Sequence, residues 1–123
     1  MIGTERIVHD LSVMGYVEVE VREAAGIKYA ILSGFDIPAG SFAGRVIDLA
    51  IPVPNDYPRT VGASIHIKAS PHLVPLGNIP GLRNVVESGL GGDWQYWSYS
   101  FILPAENPTI ELLSKINEIF RKN

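Results

Sequence analysis

A chain of 123 residues without a cysteine has few side chains able to do chemistry: three histidines (His9, His66 and His72), the scattered serines and the carboxylates. The missing thiol excludes disulfides, thiolate metal sites and cysteine nucleophiles together. The histidines show no metal-ligand spacing, so neither a metal nor a cofactor is expected. His72 is the one candidate for proton transfer, because free imidazole titrates near ~6.5. Asp93, Ser98 and His72 supply the residue types of a hydrolase triad, but no Gly-x-Ser-x-Gly elbow frames the serine. Trp94 and Trp97 offer aromatic surface, although large rings beside a helix usually pack in a core. Tyr57-Pro58 reads as a corner, with proline fixing the chain direction. The binding candidates are therefore Tyr57, Pro58, His72, Trp94 and Trp97, and no catalytic residue beyond His72 suggests itself.

The elements that must position these residues are legible from periodicity. Ile7, Val8, Leu11 and Met14 recur at helical spacing, with Thr4 as the expected N-cap and Gly15 as the stop. Val17, Val19 and Val21 alternate with Glu18, Glu20 and Arg22, which predicts a half-buried strand. Glu18, Glu20 and Glu23 then form an acidic edge, read as solvation of an edge strand. After the turn at Ala24-Ala25-Gly26, residues 27–32, 45–51 and 63–68 read as three further strands, with His66 on the outward face of the last. A glycine- and proline-bearing loop from Ser33 to Gly44 separates the first two of these.

From Ser70 to Gly92 prolines and glycines break the pattern, which predicts an irregular segment whose Leu73, Val74, Leu76, Ile79, Leu82, Val85 and Val86 pack. The chain closes with a clear helix: Asn107 as cap, Pro108 at the first position, Glu111 in the first turn, and Leu112, Leu113, Ile116, Ile119 and Phe120 on one face. The expectation is a single α+β domain over 1–123. It comprises an N-terminal helix, a four-stranded antiparallel meander, the irregular segment 70–92 and a C-terminal helix, both helices covering one face of the sheet.

Composition narrows the function classes. A net charge of −3 and no basic stripe argue against phosphate-neutralising nucleic-acid binding. The longest nearly apolar run, Val46 to Pro54, falls far short of the ~20 residues a membrane helix needs. The N-terminal Met1 to Arg6 has no secretory pattern, so the cytoplasm is the expected location.

This order of elements, with particular residues at its corners, resembles the ubiquitin-conjugating superfamily, and more closely its prokaryotic branch, family E. The resemblance rests on Tyr29-Ala30-Ile31-Leu32, Phe35-Asp36-Ile37-Pro38-Ala39-Gly40, Val46-Ile47-Asp48-Leu49-Ala50-Ile51-Pro52 and Asp56-Tyr57-Pro58. It continues in Trp94-Gln95-Tyr96-Trp97-Ser98, similar to the tryptophan pair before the family's last helix, and in Asn107-Pro108. His72, fifteen residues after Tyr57, stands about where active relatives place the histidine of a His-Pro-Asn motif, but Leu73 and Val74 follow it.

The resemblance implies a cysteine carrying the modifier as a thioester, since a thiolate is both nucleophile and leaving group. The stretch from Gly77 to Val86, where it would stand, offers Asn78, Arg83 and Asn84 but no serine or threonine. The implied function is a non-catalytic module of a modifier system, with a β-grasp ubiquitin-like modifier or an activating-type enzyme as partner. Its candidate surfaces are Tyr57-Pro58, the loop from Phe35 to Phe42 and the segment around His72. Two alternatives stay open: a small enzyme in which His72 activates Ser98, another serine or water for atypical conjugation or hydrolysis, and a structural subunit of a larger assembly.

Overall fold

The computed structural model describes residues 1–75, 77–78 and 84–123. Helix α1 (Gly3–Val13) is followed by strands β1 (Val19–Ala24), β2 (Ile27–Asp36), β3 (Val46–Pro52), β4 (Ser64–Lys68), β5 (Gly77–Asn78), β6 (Asn84–Ser88) and β7 (Gly91–Ser98), and helix α2 (Pro108–Lys122) ends the chain. The α+β layout with a helix at each end is as the periodicity predicts. The sheet is larger than the expected four-stranded meander: its seven antiparallel strands run β1-β2-β3-β4-β7-β6-β5.

The extra strands come largely from the segment expected to be irregular. Ser88 to Gly91 closes a tight hairpin around Gly89-Leu90, and β7 runs back along β4, pairing Ser64 with Ser98 and Lys68 with Trp94. No apolar–polar alternation announces β7 because side chains on both of its faces are buried: Trp94 on one, Gln95 and Trp97 on the other. The expected packing of Leu76, Ile79 and Leu82 lies outside the described residues.

One face of the sheet carries the main core. Ala30, Leu32, Leu49, Ile51, Ile65, Ile67 and Trp97 meet Ile7 and Leu11 of α1 and Leu112, Leu113, Ile116, Ile119 and Phe120 of α2. The apolar stripe read from the α2 sequence is the stripe that is buried. Glycines allow two close approaches here. Gly40, at φ +87°, lies so close to the Phe120 carbonyl that any side chain would collide with it. Gly3, at φ +66°, donates its N–H to the Tyr57 carbonyl (2.9 Å), so α1 starts at Gly3 with Ile2 in the capping position, rather than at Thr4. Gly15 does end α1 at positive φ, as its position predicts.

The second face is also covered. Tyr29, Ile31, Ala50 and Trp94 are buried there with Ala24 and Leu90 against them. In a flat sheet the β1–β2 and β6–β7 turns would lie four strand spacings apart, ~19 Å, and at opposite ends of their strands. Yet a methyl group at Gly89 would stand 3.9 Å from Ala25 Cβ. The sheet therefore curls until its two hairpin ends meet over the second face. β1 is an outer strand on which Glu20, Arg22 and Glu23 stay exposed. Val17 precedes it and Val21 is exposed as well, so with no described element over Val21 the strand is not half-buried as the valine alternation predicts.

Candidate functional site

Tyr57 belongs to the core rather than to an open surface. Its side chain is fully buried, and its hydroxyl donates to Thr109 Oγ1 (2.8 Å), which donates to Asp10 Oδ2 (2.6 Å), which accepts from Arg6 Nε (2.9 Å). This chain ties the corner to the first turn of α2 and to α1. Burial pushes the Tyr57 phenol above its ordinary pKa. Pro58, half-buried beside it, follows a cis peptide bond. Phe35 and Ile37 of the loop candidate are buried, and Phe42 packs 6.5 Å from Trp97, so that loop is pinned to the core.

Trp94 and Trp97 do not form one platform. Trp97 points into the main core, 5.9 Å from the Phe120 ring, with its indole N–H on Gln95 Oε1 (3.4 Å). Trp94, three residues earlier, lies on the opposite face. Gln95 also donates from Nε2 to the Val74 carbonyl (2.7 Å), and Arg45 donates to the Pro71 carbonyl (2.6 Å), so both ends of residues 71–74 are anchored.

His72 sits on that anchored stretch and is exposed. It borders two open cavities at one end of the sheet. One, of about 360 Å³, runs along Leu73, Val74, Trp94 and Gln95. The other, of about 590 Å³, is bordered by Asp48, Lys68, Ser70 and Asp93. His72 and Asp93 therefore share a cavity, but Ser98 does not join them. It ends β7 four residues, or ~13 Å, beyond Trp94. The triad suggested by residue types is not assembled, because strand pairing sends its serine to the far end. Of the stretch where a catalytic cysteine would stand, residues 79–83, including Arg83, lie outside the described residues, as do the side chains of Asn78 and Asn84.

The chemistry that sequence reasoning missed is on the second face at the opposite end. His66, expected on an outward strand face, is 3% exposed because the curled sheet covers it. Its Nε2 lies 3.0 Å from Ser64 Oγ and its Nδ1 2.6 Å from Ser88 Oγ, which also accepts the Leu90 N–H (3.1 Å). The rings of Tyr29 and Tyr96 meet the imidazole edge to face at 4.8 and 5.2 Å. Burial lowers its pKa to about 4. The signal available in sequence was the pair Ser64-x-His66, which a strand puts on one face. Its partner Ser88 comes from a hairpin that periodicity did not reveal.

Among the described residues no cluster of His, Asp or Glu could hold a metal ion, and no helix is long and apolar enough to cross a membrane. Comparison with curated proteins and with solved structures gives no match. The family model for prokaryotic E2 family E does match, over residues 8–107, from within α1 to the residue before α2. That span takes in the Tyr57-Pro58 corner, His72 and both tryptophans, while the sequence holds no cysteine. The chain, a ubiquitin-conjugating-like module without the thioester residue, belongs to prokaryotic E2 family E.

Proposed function

We propose that this module is a non-catalytic binding or adaptor component of a prokaryotic ubiquitin-like modifier system. It works in the cytoplasm as one domain over residues 1–123, with a β-grasp modifier or an activating-type enzyme as partner. The observation that carries the reading is a family-E chain with no cysteine to accept a modifier. Its docking surface is the exposed end around His72, where an anchored loop borders two open cavities. Loops held on a rigid scaffold are where recognition residues concentrate. Trp94, which lines one of these cavities, supports the surface from beneath, whereas Trp97 lies in the main core and Tyr57-Pro58 stands in the β3–β4 connection at the other end of the sheet. Nucleic acid is no partner on this reading, given the net charge of −3.

The test is calorimetric titration of the purified protein with β-grasp modifiers and activating-type enzymes from its source genome. We expect one of them to bind, and His72→Ala to weaken that binding about tenfold, roughly 1.4 kcal/mol, with no change in thermal unfolding. Binding by none of them, or binding indifferent to His72→Ala, defeats the assigned role or surface respectively.

A further inference from the structure

The Ser64–His66–Ser88 cluster stands beside a cavity that the adaptor reading leaves without a purpose. That cavity, about 570 Å³, falls within the ~300–1,000 Å³ usual for small-ligand pockets. Ile27, Pro52, Pro54 and Tyr96 give it apolar walls, and Ser64 lies in its lining. Glu23 and Lys28, cross-strand partners on β1 and β2, both border it and offset each other. An uncharged occupant fits this balance better than an ion. Gly62 borders it too, so close to Pro52 that a methyl group would come within 2.5 Å of the proline ring.

A serine hydroxyl is a poor nucleophile until a base takes its proton. Ser64 has such a base at hydrogen-bond distance, and the base has an orienting group on its other nitrogen. Two tautomers satisfy the contacts. With the proton on Nδ1, His66 donates to Ser88 Oγ and leaves Nε2 bare to accept from Ser64. Tyr29 and Tyr96, packed edge to face, hold the ring in this plane. The imidazole is neutral at pH 7 because burial disfavours its charged form.

We propose that Ser64 is a nucleophile and His66 its general base, acting on small uncharged carboxylic esters or thioesters bound in this cavity, with Ser88 as the positioning residue. As Ser64 Oγ bonds to the acyl carbon, its proton passes to His66 Nε2. The C–O or C–S bond of the substrate then breaks, and the leaving oxygen or sulfur takes that proton and departs as alcohol or thiol. Water, giving a proton to Nε2, attacks the Ser64 ester, and Ser64 recovers the proton as the carboxylic acid leaves. Nothing is oxidised or reduced. This centre is independent of the adaptor reading and of His72.

A small alkyl fluorophosphonate tests it, since a serine activated in this way displaces fluoride and keeps the phosphonyl group. Intact mass spectrometry of the wild-type protein should show one adduct, and peptide mapping should place it on Ser64. Ser64→Ala should show none. His66→Gln, whose amide can keep contact with a neighbouring hydroxyl, should slow labelling by about 10²-fold or more. Ser88→Ala should lower the maximal labelling rate while leaving probe affinity unchanged, a split that a merely structural role would not produce. Thermal unfolding of each variant shows which are folded, and the Ser64 and Ser88 arms stand even if His66→Gln does not fold. A wild-type protein that forms no adduct overturns the proposal, as does an adduct that survives Ser64→Ala or a folded His66→Gln labelled at the wild-type rate.

Discussion

The two faces of the sheet are buried by different means. The helix-facing side is closed by α1 and α2, whose side chains fill it with aliphatic and aromatic groups; among the described strand residues Gln95 is the buried polar side chain on this face. The other side is closed by the sheet's own curl, with four core residues and a buried polar cluster, Ser64, His66 and Ser88, of which Ser64 also lines an open cavity. A helix brings a dense apolar stripe at the 3.6-residue period and makes a dry core. Two hairpin ends bring little apolar area, so polar side chains on that face need partners, and each of these three has one. The first face is built for stability, and the second leaves room for chemistry.

Truncating one tryptophan on each face is the strongest way to break this comparison. Trp97→Ala removes a fully buried ring between Phe42 and Phe120 and should cost about 3–5 kcal/mol, enough to unfold a marginal domain. Trp94→Ala empties a four-residue cluster that the hairpin end can collapse onto, and about 2 kcal/mol is expected. Urea unfolding of both variants measures the difference. Equal losses would show that the second face is as rigid a core as the first.

The polar cluster makes the second face sensitive to pH. His66 titrates at about 4 in the fold and near ~6.5 in the unfolded chain. Between those values the unfolded chain binds more protons, so the contribution is complete above pH ~6.5 and is lost as pH falls towards 4. Its size is about 3 kcal/mol at ~1.4 kcal/mol per pH unit. The titratable side chains against the ring are Tyr29 and Tyr96, with Glu23 and Lys28 at the cavity rim. Unfolding free energies of the wild type and His66→Gln from pH 7 to 4 isolate the effect. The wild type should lose about 3 kcal/mol more than the variant, and parallel curves would show that the imidazole is not sealed.

The contrast between the faces also explains what could be read from the sequence. α2 is legible because Leu112, Leu113, Ile116, Ile119 and Phe120 face one surface while charges face water. β1 is found as a strand from its valine–charge alternation, but its Val21 is exposed because no described element covers that edge. β7 is hidden because it is buried on both sides, and with it went the larger sheet. His66 was placed on the correct face but given the wrong environment, since burial there comes from the meeting of Gly89 with Ala25, far apart in sequence. Residue types alone linked His72 to Ser98, whereas strand alternation puts His66 beside Ser64 and the β6–β7 hairpin end brings Ser88 to its other nitrogen. Family membership was legible from the corner motifs because their spacing survives the loss of the cysteine.

The smallest expected effect concerns the corner where the first face is sealed. Thr109 has one hydroxyl proton, and it goes to Asp10, so the Tyr57 hydroxyl must donate to Thr109 rather than accept from it. Tyr57→Phe therefore removes a donor without stranding one: Thr109 loses an incoming bond but keeps its own, and the ring still fills the core. The cost should be about 1 kcal/mol in urea unfolding, well below that of either tryptophan. Binding of any partner at the His72 end should be unchanged, because the hydroxyl is buried and faces α1 and α2. A larger loss of stability would mean that Asp10 and Arg6 rely on the Tyr57 hydroxyl for their placement. A loss of binding at unchanged stability would make Tyr57 part of the recognition surface and move that surface away from the His72 end.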